Sequence, residues 1–253
     1  MSDYNLAIKA DEILRANKTE EWHHYVSDLK FRGINADDVT GSVIYIGSGR
    51  DLSSLFIFEN AQCIIHQELG DPQLFNAFPI LEQSGIVSDF QVVSDEPSER
   101  RYKLKYKGQE KTFIEVFNSR ENLDRHIHNG DVALNVHPLA QEGLDAIYFW
   151  AFPYEDTIKA MQINLLPHLK RGGLFEGNYY SLYHYGASPS KLGLVNGSGT
   201  YIKNKQLSSK EIESAVRFSI DDYIEKDLHF SSILHEDKPK IREEARKRGV
   251  HFK

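Results

Sequence analysis

Apolar and polar positions recur along this chain with two different periods, and the switch between them marks out the elements. Leu6, Ala10, Ile13 and Leu14 fall on one helical face, as do Trp22, Tyr25, Val26 and Leu29. Two helices are predicted first, the second with Thr19 as its N-cap. Asn35 to Gly41 reads as a loop into a strand, Val43 to Ile46, which runs directly into Gly47-Ser48-Gly49. Cys63 to Gln67 reads as a second strand. Pro72 to Gln83 reads as a helix with Leu74, Phe78 and Leu81 inward and Gly85 past its end. Phe90 to Val93 is a third strand. Tyr102 to Tyr106 and Thr112 to Phe117 then flank Lys107-Gly108-Gln109-Glu110 as a hairpin.

Leu144 to Phe152 is almost wholly apolar, as a strand buried on both faces must be. Glu155 to Leu169 carries Ile158, Met161 and Leu165 on one side and ends at Lys170-Arg171-Gly172-Gly173, basic residues followed by glycine. Leu174 to Tyr180 is the next strand. Val195 to Ile202 predicts an edge hairpin, and Ser208 with Glu211 forms a capping box for a helix lined by Ile212, Ala215, Val216, Ile220, Tyr223 and Ile224. Strand and helix alternate through the middle. That pattern predicts a mostly parallel sheet with helices on both faces.

Composition narrows the picture. The chain has 253 residues, 40% hydrophobic and 11% aromatic, enough for one substantial core. No stretch has the length of a membrane span. The start, MSDYNLAIKADEIL, is amphipathic and acidic and does not read as a signal or transit peptide. One cysteine, Cys63, sits in an apolar run, which fits a reducing, cytoplasmic setting. The net charge of −7 opposes general nucleic-acid binding. The basic run Arg100 to Lys111 and the charged tail Lys238 to Lys253 read as solvated faces.

In a parallel sheet the ligand lies beyond the carboxyl ends of the strands. The candidate site is therefore Gly47 to Asp51, His66 to Glu68, Asn118 to Arg120 and Pro153 to Asp156. Glycines after a buried strand let the backbone reach positive φ and let a ligand approach the main chain. Asp51 either caps the next helix or touches ligand. Glu68 is either a ligand acid or a surface loop acid, and Asn118 lies after an apolar strand. The aromatic cluster Tyr179, Tyr180, Tyr183, His184, Tyr185 is either a loop covering the core or a substrate wall. In the second case His184 or Tyr154 would serve as general base. The eleven histidines include His23-His24, His126-x-His128 and His137, none with an acid or cysteine at ligand spacing, so no metal is expected. No G-x-S-x-G elbow or phosphate-loop Gly-Lys-Ser/Thr occurs, and Leu52 stands where a dinucleotide fingerprint needs glycine.

From Gly41 to Tyr180 the chain resembles the class I S-adenosylmethionine-dependent methyltransferases. IGSG resembles the family's first motif, LDAIYFWAF its fourth strand, and LLPHLKRGGLFEGNYY its leucine-rich helix, glycine turn and fifth strand. The resemblance implies a three-layer Rossmann-like methyltransferase fold. It implies a core over residues 41–205, with helical extensions over 1–40 and 206–253 and an inserted hairpin. It also implies S-adenosylmethionine held by Gly47, Ser48, Gly49, Asp51, Glu68 and Asn118, and methyl transfer to a small-molecule acceptor. Composition, for its part, points to no membrane partner and leaves nucleic-acid methylation through Arg100 to Lys111 as the weaker variant. Two positions depart from the family pattern. Tyr45 replaces the acid two residues before the first glycine, and Asp51 replaces the third glycine. A domain with a degenerate cofactor site, or a nicotinamide-dependent oxidoreductase, remain alternatives.

Overall fold

The β-branched and aromatic run ahead of Gly47 forms the central strand of a nine-stranded sheet. The computed structural model describes residues 4–17, 36–68, 73–117, 137–149, 162–176, 189–196 and 200–216. In chain order the elements are α1 (Tyr4–Ala16), β1 (Ser42–Ile46), α2 (Ser53–Ile57), β2 (Cys63–Glu68), a 3-10 turn (Leu74–Asn76) and α3 (Ala77–Gln83). Then come β3 (Val87–Glu96), β4 (Glu99–Tyr106), β5 (Gln109–Phe117), α4 (Pro138–Gln141), β6 (Leu144–Phe149), β7 (Leu169–Glu176), β8 (Leu194–Asn196) and β9 (Tyr201–Lys203). A further helix, α5, covers residues 209–216, the last of the described residues.

The sheet order is β3-β4-β5-β2-β1-β6-β7-β9-β8. Four of its eight pairings are parallel (β1 with β2 and β6, β2 with β5, β6 with β7) and four are antiparallel. The sheet is therefore mixed. This overturns the expected mostly parallel, three-layer Rossmann-like methyltransferase fold. The physical reason lies in two places. Phe90 to Val93 is not a buried parallel strand: it belongs to an outer strand of ten residues in which Val92 and Val93 are each 53% exposed. β3 pairs antiparallel with β4, which pairs antiparallel with β5, and it is β5 that runs parallel beside β2. At the other edge β9 and β8 add a second antiparallel pair.

Along β1 the side chains alternate between two cores. Val43 and Tyr45 join one cluster with α1, α2 and α3. Ile44 and Ile46 join another with Ile65, Ile114, Ile147, Phe175 and α5 residues Ile212 and Val216. Both faces of the central strands are thus dry, which is why these strands read as continuous apolar runs. The expected first helix forms, with Ala7, Ala10 and Leu14 buried. The predicted turn Lys170 to Gly173 is absorbed into β7, where a register shift against β6 and a φ of 84° at Gly172 take up the bend. The predicted helix of Pro72 to Gln83 is shorter, a 3-10 turn followed by seven α-helical residues. The Ser208–Glu211 box forms as expected: Ser208 N donates to Glu211 Oε2 at 2.9 Å and Glu211 N donates back to Ser208 Oγ at 3.3 Å.

The helix expected around Trp22, the residues Asn118, Arg120, Tyr154 and His184, the aromatic cluster from Tyr179, and the tail from Lys238 lie outside the described residues. Among the described residues no helix is long and apolar enough to cross a membrane.

Candidate functional site

The parallel strands place their carboxyl ends together, and the strand order turns back on itself at β1. In open α/β sheets ligands bind at such a reversal, outside the carboxyl ends of the strands. Gly47 and Gly49 sit there with φ of 64° and 51°, the left-handed region that a side chain enters only at a cost. Gly47 N donates to the Gln67 carbonyl at 2.9 Å, tying the turn to the end of β2. Gly49 N donates to Glu68 Oε2 at 2.6 Å. Two residues nineteen apart in sequence, Gly49 of the glycine turn and Glu68 at the end of the second strand, are thus brought into one contact. Ser48 between the glycines is only 3% exposed, and its Oγ has no hydrogen-bond partner among the described residues.

Asp51 behaves differently. Its carboxylate accepts from the Tyr45 hydroxyl at 2.7 Å, from Ser53 N at 3.0 Å and from Ser53 Oγ at 2.8 Å. These bonds point inward, so Asp51 secures the start of α2. Tyr45 and Asp51, the two departures from the family pattern, are therefore partners of each other. Burial first, then the Asp51 charge, holds the Tyr45 hydroxyl well above its ordinary pKa, so it stays a donor.

Beneath the turn lies a feature that sequence reading missed. Register places Glu115, His66, Tyr45, Tyr148 and Glu176 side by side across β5, β2, β1, β6 and β7. Residues directly abreast in a sheet share a face, so this is one buried polar row crossing five strands. Glu115 accepts from Leu74 N at 3.0 Å and from the Tyr102 hydroxyl. His66 Nε2 meets Ser54 Oγ at 2.6 Å. The Tyr45 ring packs against His66 and Tyr148, with centroids 5.1 and 4.5 Å away. Glu176 ends the row. It is 8% exposed, its Oε2 has no partner among the described residues, and burial pushes its carboxyl up to about 8. A signal for the row did exist: each member is the one polar-tipped residue inside an apolar run, as in VIYI, CIIH, FIEV, AIYF and GLFE.

The remaining candidates have structural partners. Cys63 is half-buried in the sheet, and burial pushes its thiol up to about 11. A thiolate is therefore scarce at neutral pH. His137 starts α4, accepting from Leu139 N at 3.2 Å while its Nε2 faces Glu99 at 3.0 Å. In the basic run Arg100 meets Asp95, Arg101 meets Glu99, Lys103 meets Glu110, Lys105 meets Asp89 and Lys107 meets Glu59. Lys111 turns inward to the carbonyls of Glu59 and Ala61, both at 2.6 Å. The run is neutralised in place, as a solvated face should be.

Neither a scan against models of known protein families nor a search of curated proteins finds a match to this chain.

Proposed function

We propose that the chain transfers a methyl group from S-adenosylmethionine to a small-molecule acceptor in the cytoplasm. The observation that carries this reading is the contact of Glu68 with the glycine turn. It creates a rim with half-buried backbone at positive φ on one side and a carboxylate on the other, at the point where the strand order reverses. The residues present fit such a cofactor. Ser48 offers a buried hydroxyl with no partner among the described residues, and Glu68 offers an acid suited to ribose hydroxyls. Gly49 leaves the main chain open to close approach, since a Cβ there would meet only the Glu68 carboxylate at 4.0 Å. When bound, the cofactor supplies a methyl group already activated on a sulfonium. The chain's own task is then to hold donor and acceptor in line and to keep water out. Asp51 takes no direct part in holding the ligand, because its oxygens are engaged with Tyr45 and Ser53.

The test is a thermal-shift titration with S-adenosylmethionine, S-adenosylhomocysteine, NAD and NADP. A ligand that binds only the folded chain raises Tm as its concentration passes Kd. A saturable response to the adenosyl compounds that is lost in Gly47→Arg supports methyl transfer. Silence toward all four supports a domain that has lost its cofactor. A response to NAD or NADP alone supports an oxidoreductase.

A further inference from the structure

A carboxyl group buried without a partner is a costly thing to keep. An unpaired polar group inside a protein forfeits its hydration, and an ionised one forfeits far more. Every other acid of the buried row meets this demand from within the chain: Glu115 has the Leu74 amide and the Tyr102 hydroxyl, and Asp51 above the row has Tyr45 and Ser53. Glu176 Oε2 has no such partner among the described residues, although a glutamine or a methionine would fill similar volume. Its position is the last residue of β7, abreast of Tyr148 and at the same carboxyl edge as the glycine turn.

We propose that Glu176 is the acceptor-binding group of this site and that it holds an amino nitrogen of the substrate. The proposal rests on the methyl-transfer reading for its chemistry and on the orphaned carboxyl for its geometry. A buried carboxylate is best satisfied by a charge-assisted N–H donor, which makes a shorter and stronger bond than a neutral hydroxyl. The neighbouring Tyr148 ring keeps the local dielectric low and so strengthens that bond. In the reaction the bound ammonium first loses one proton to solvent, the nitrogen lone pair so freed attacks the methyl carbon and a C–N bond forms. The C–S bond breaks and its electron pair stays on sulfur. The proton shed by the methylated nitrogen passes to the Glu176 carboxylate. A carboxyl poised near neutrality suits that role, since proton transfer is most effective when the base titrates near the working pH.

The test uses benzylamine and butylamine as probes, with benzyl alcohol and butanol as neutral isosteres. Binding is measured calorimetrically, with and without S-adenosylhomocysteine, to the wild-type chain and to Glu176→Gln. The expected result is saturable amine binding that weakens roughly tenfold or more in Glu176→Gln, the loss of one charge-assisted bond. Alcohol and S-adenosylhomocysteine binding stay unchanged. Equal amine affinity in both proteins, or no amine binding to the wild type, overturns the proposal. A failure of S-adenosylhomocysteine to bind overturns the methyl-transfer reading instead, and the amine arm still judges Glu176. A second readout needs no variant. In carbon-13-labelled wild-type protein the Glu176 carboxyl resonance must move with amine and stay put with alcohol. The reverse would contradict the assignment.

Discussion

The two ends of the parallel strands differ in whether the buried groups Lys111 and Lys203, at one, and Ser48 and Glu176, at the other, find a partner. At the amino end Lys111 and Lys203 are both buried, and burial draws each ammonium down to about 8. Each is answered by backbone: Lys111 by the carbonyls of Glu59 and Ala61, Lys203 by the carbonyl of Leu166 at 2.5 Å. At the carboxyl end Ser48 and Glu176 are equally hidden but have no partner among the described residues. The same burial therefore has two meanings. Where the chain supplies the partner, the group is a clamp on backbone carbonyls. Where it does not, the group is left for something that arrives.

This contrast can be broken at either end. The largest effect is expected from Lys111→Met, which takes the ammonium from one buried and one half-buried carbonyl. It should cost about 3 kcal/mol in urea unfolding. The wild type should also gain stability as pH rises from about 8 toward 10.5. The folded-state pKa of Lys111 lies below its ordinary value of 10.5, so the unfolded chain binds more protons across that window. The variant should lose this part of the slope. A neutral Lys111→Met would dissolve the distinction between the two ends.

Glu176→Gln should do the opposite and stabilise. The folded pKa of Glu176 is raised from 4.5 to about 8, so the group's penalty is absent below 4.5, grows through that window and is complete above about 8. The gain should be near zero at pH 4 and about 2 kcal/mol or more at pH 9. Destabilisation at pH 9 would show that Glu176 is already satisfied. The smallest effect calibrates the other two. Ser208→Ala removes an exposed capping hydroxyl that has its partner and should cost about 1 kcal/mol at any pH above 5.

Much of this was legible in the sequence, and the illegible part has a common cause. The glycine turn could be read because a β-prone run and two glycines are local signals, and Glu68 could be placed because it follows the next strand. Pairing is not local. Phe90 to Val93 and Thr112 to Phe117 are both short apolar runs, and nothing in either says which lies beside β2. The pairing was decided by the tight Lys107-Gly108 turn, with φ of 51° and 77°, and by exposure of Val92 and Val93 on the outer strand. That single exchange turned an expected parallel strand into an antiparallel edge. The polar row was missed for the same reason. Glu115, His66, Tyr45, Tyr148 and Glu176 become neighbours only when five strands come into register. Asn118, Tyr154 and His184 fall outside the described residues, so the structure leaves their proposed roles as the sequence states them.

The central claim is that the carboxyl edge, and not the amino edge, receives the ligand. Its most direct test is an amide chemical-shift titration with S-adenosylhomocysteine. The account predicts saturable shifts at Gly47, Ser48, Gly49 and Glu68, with the amides around Lys111 and Lys203 unmoved. Shifts confined to the lysine end, or none anywhere, would contradict it.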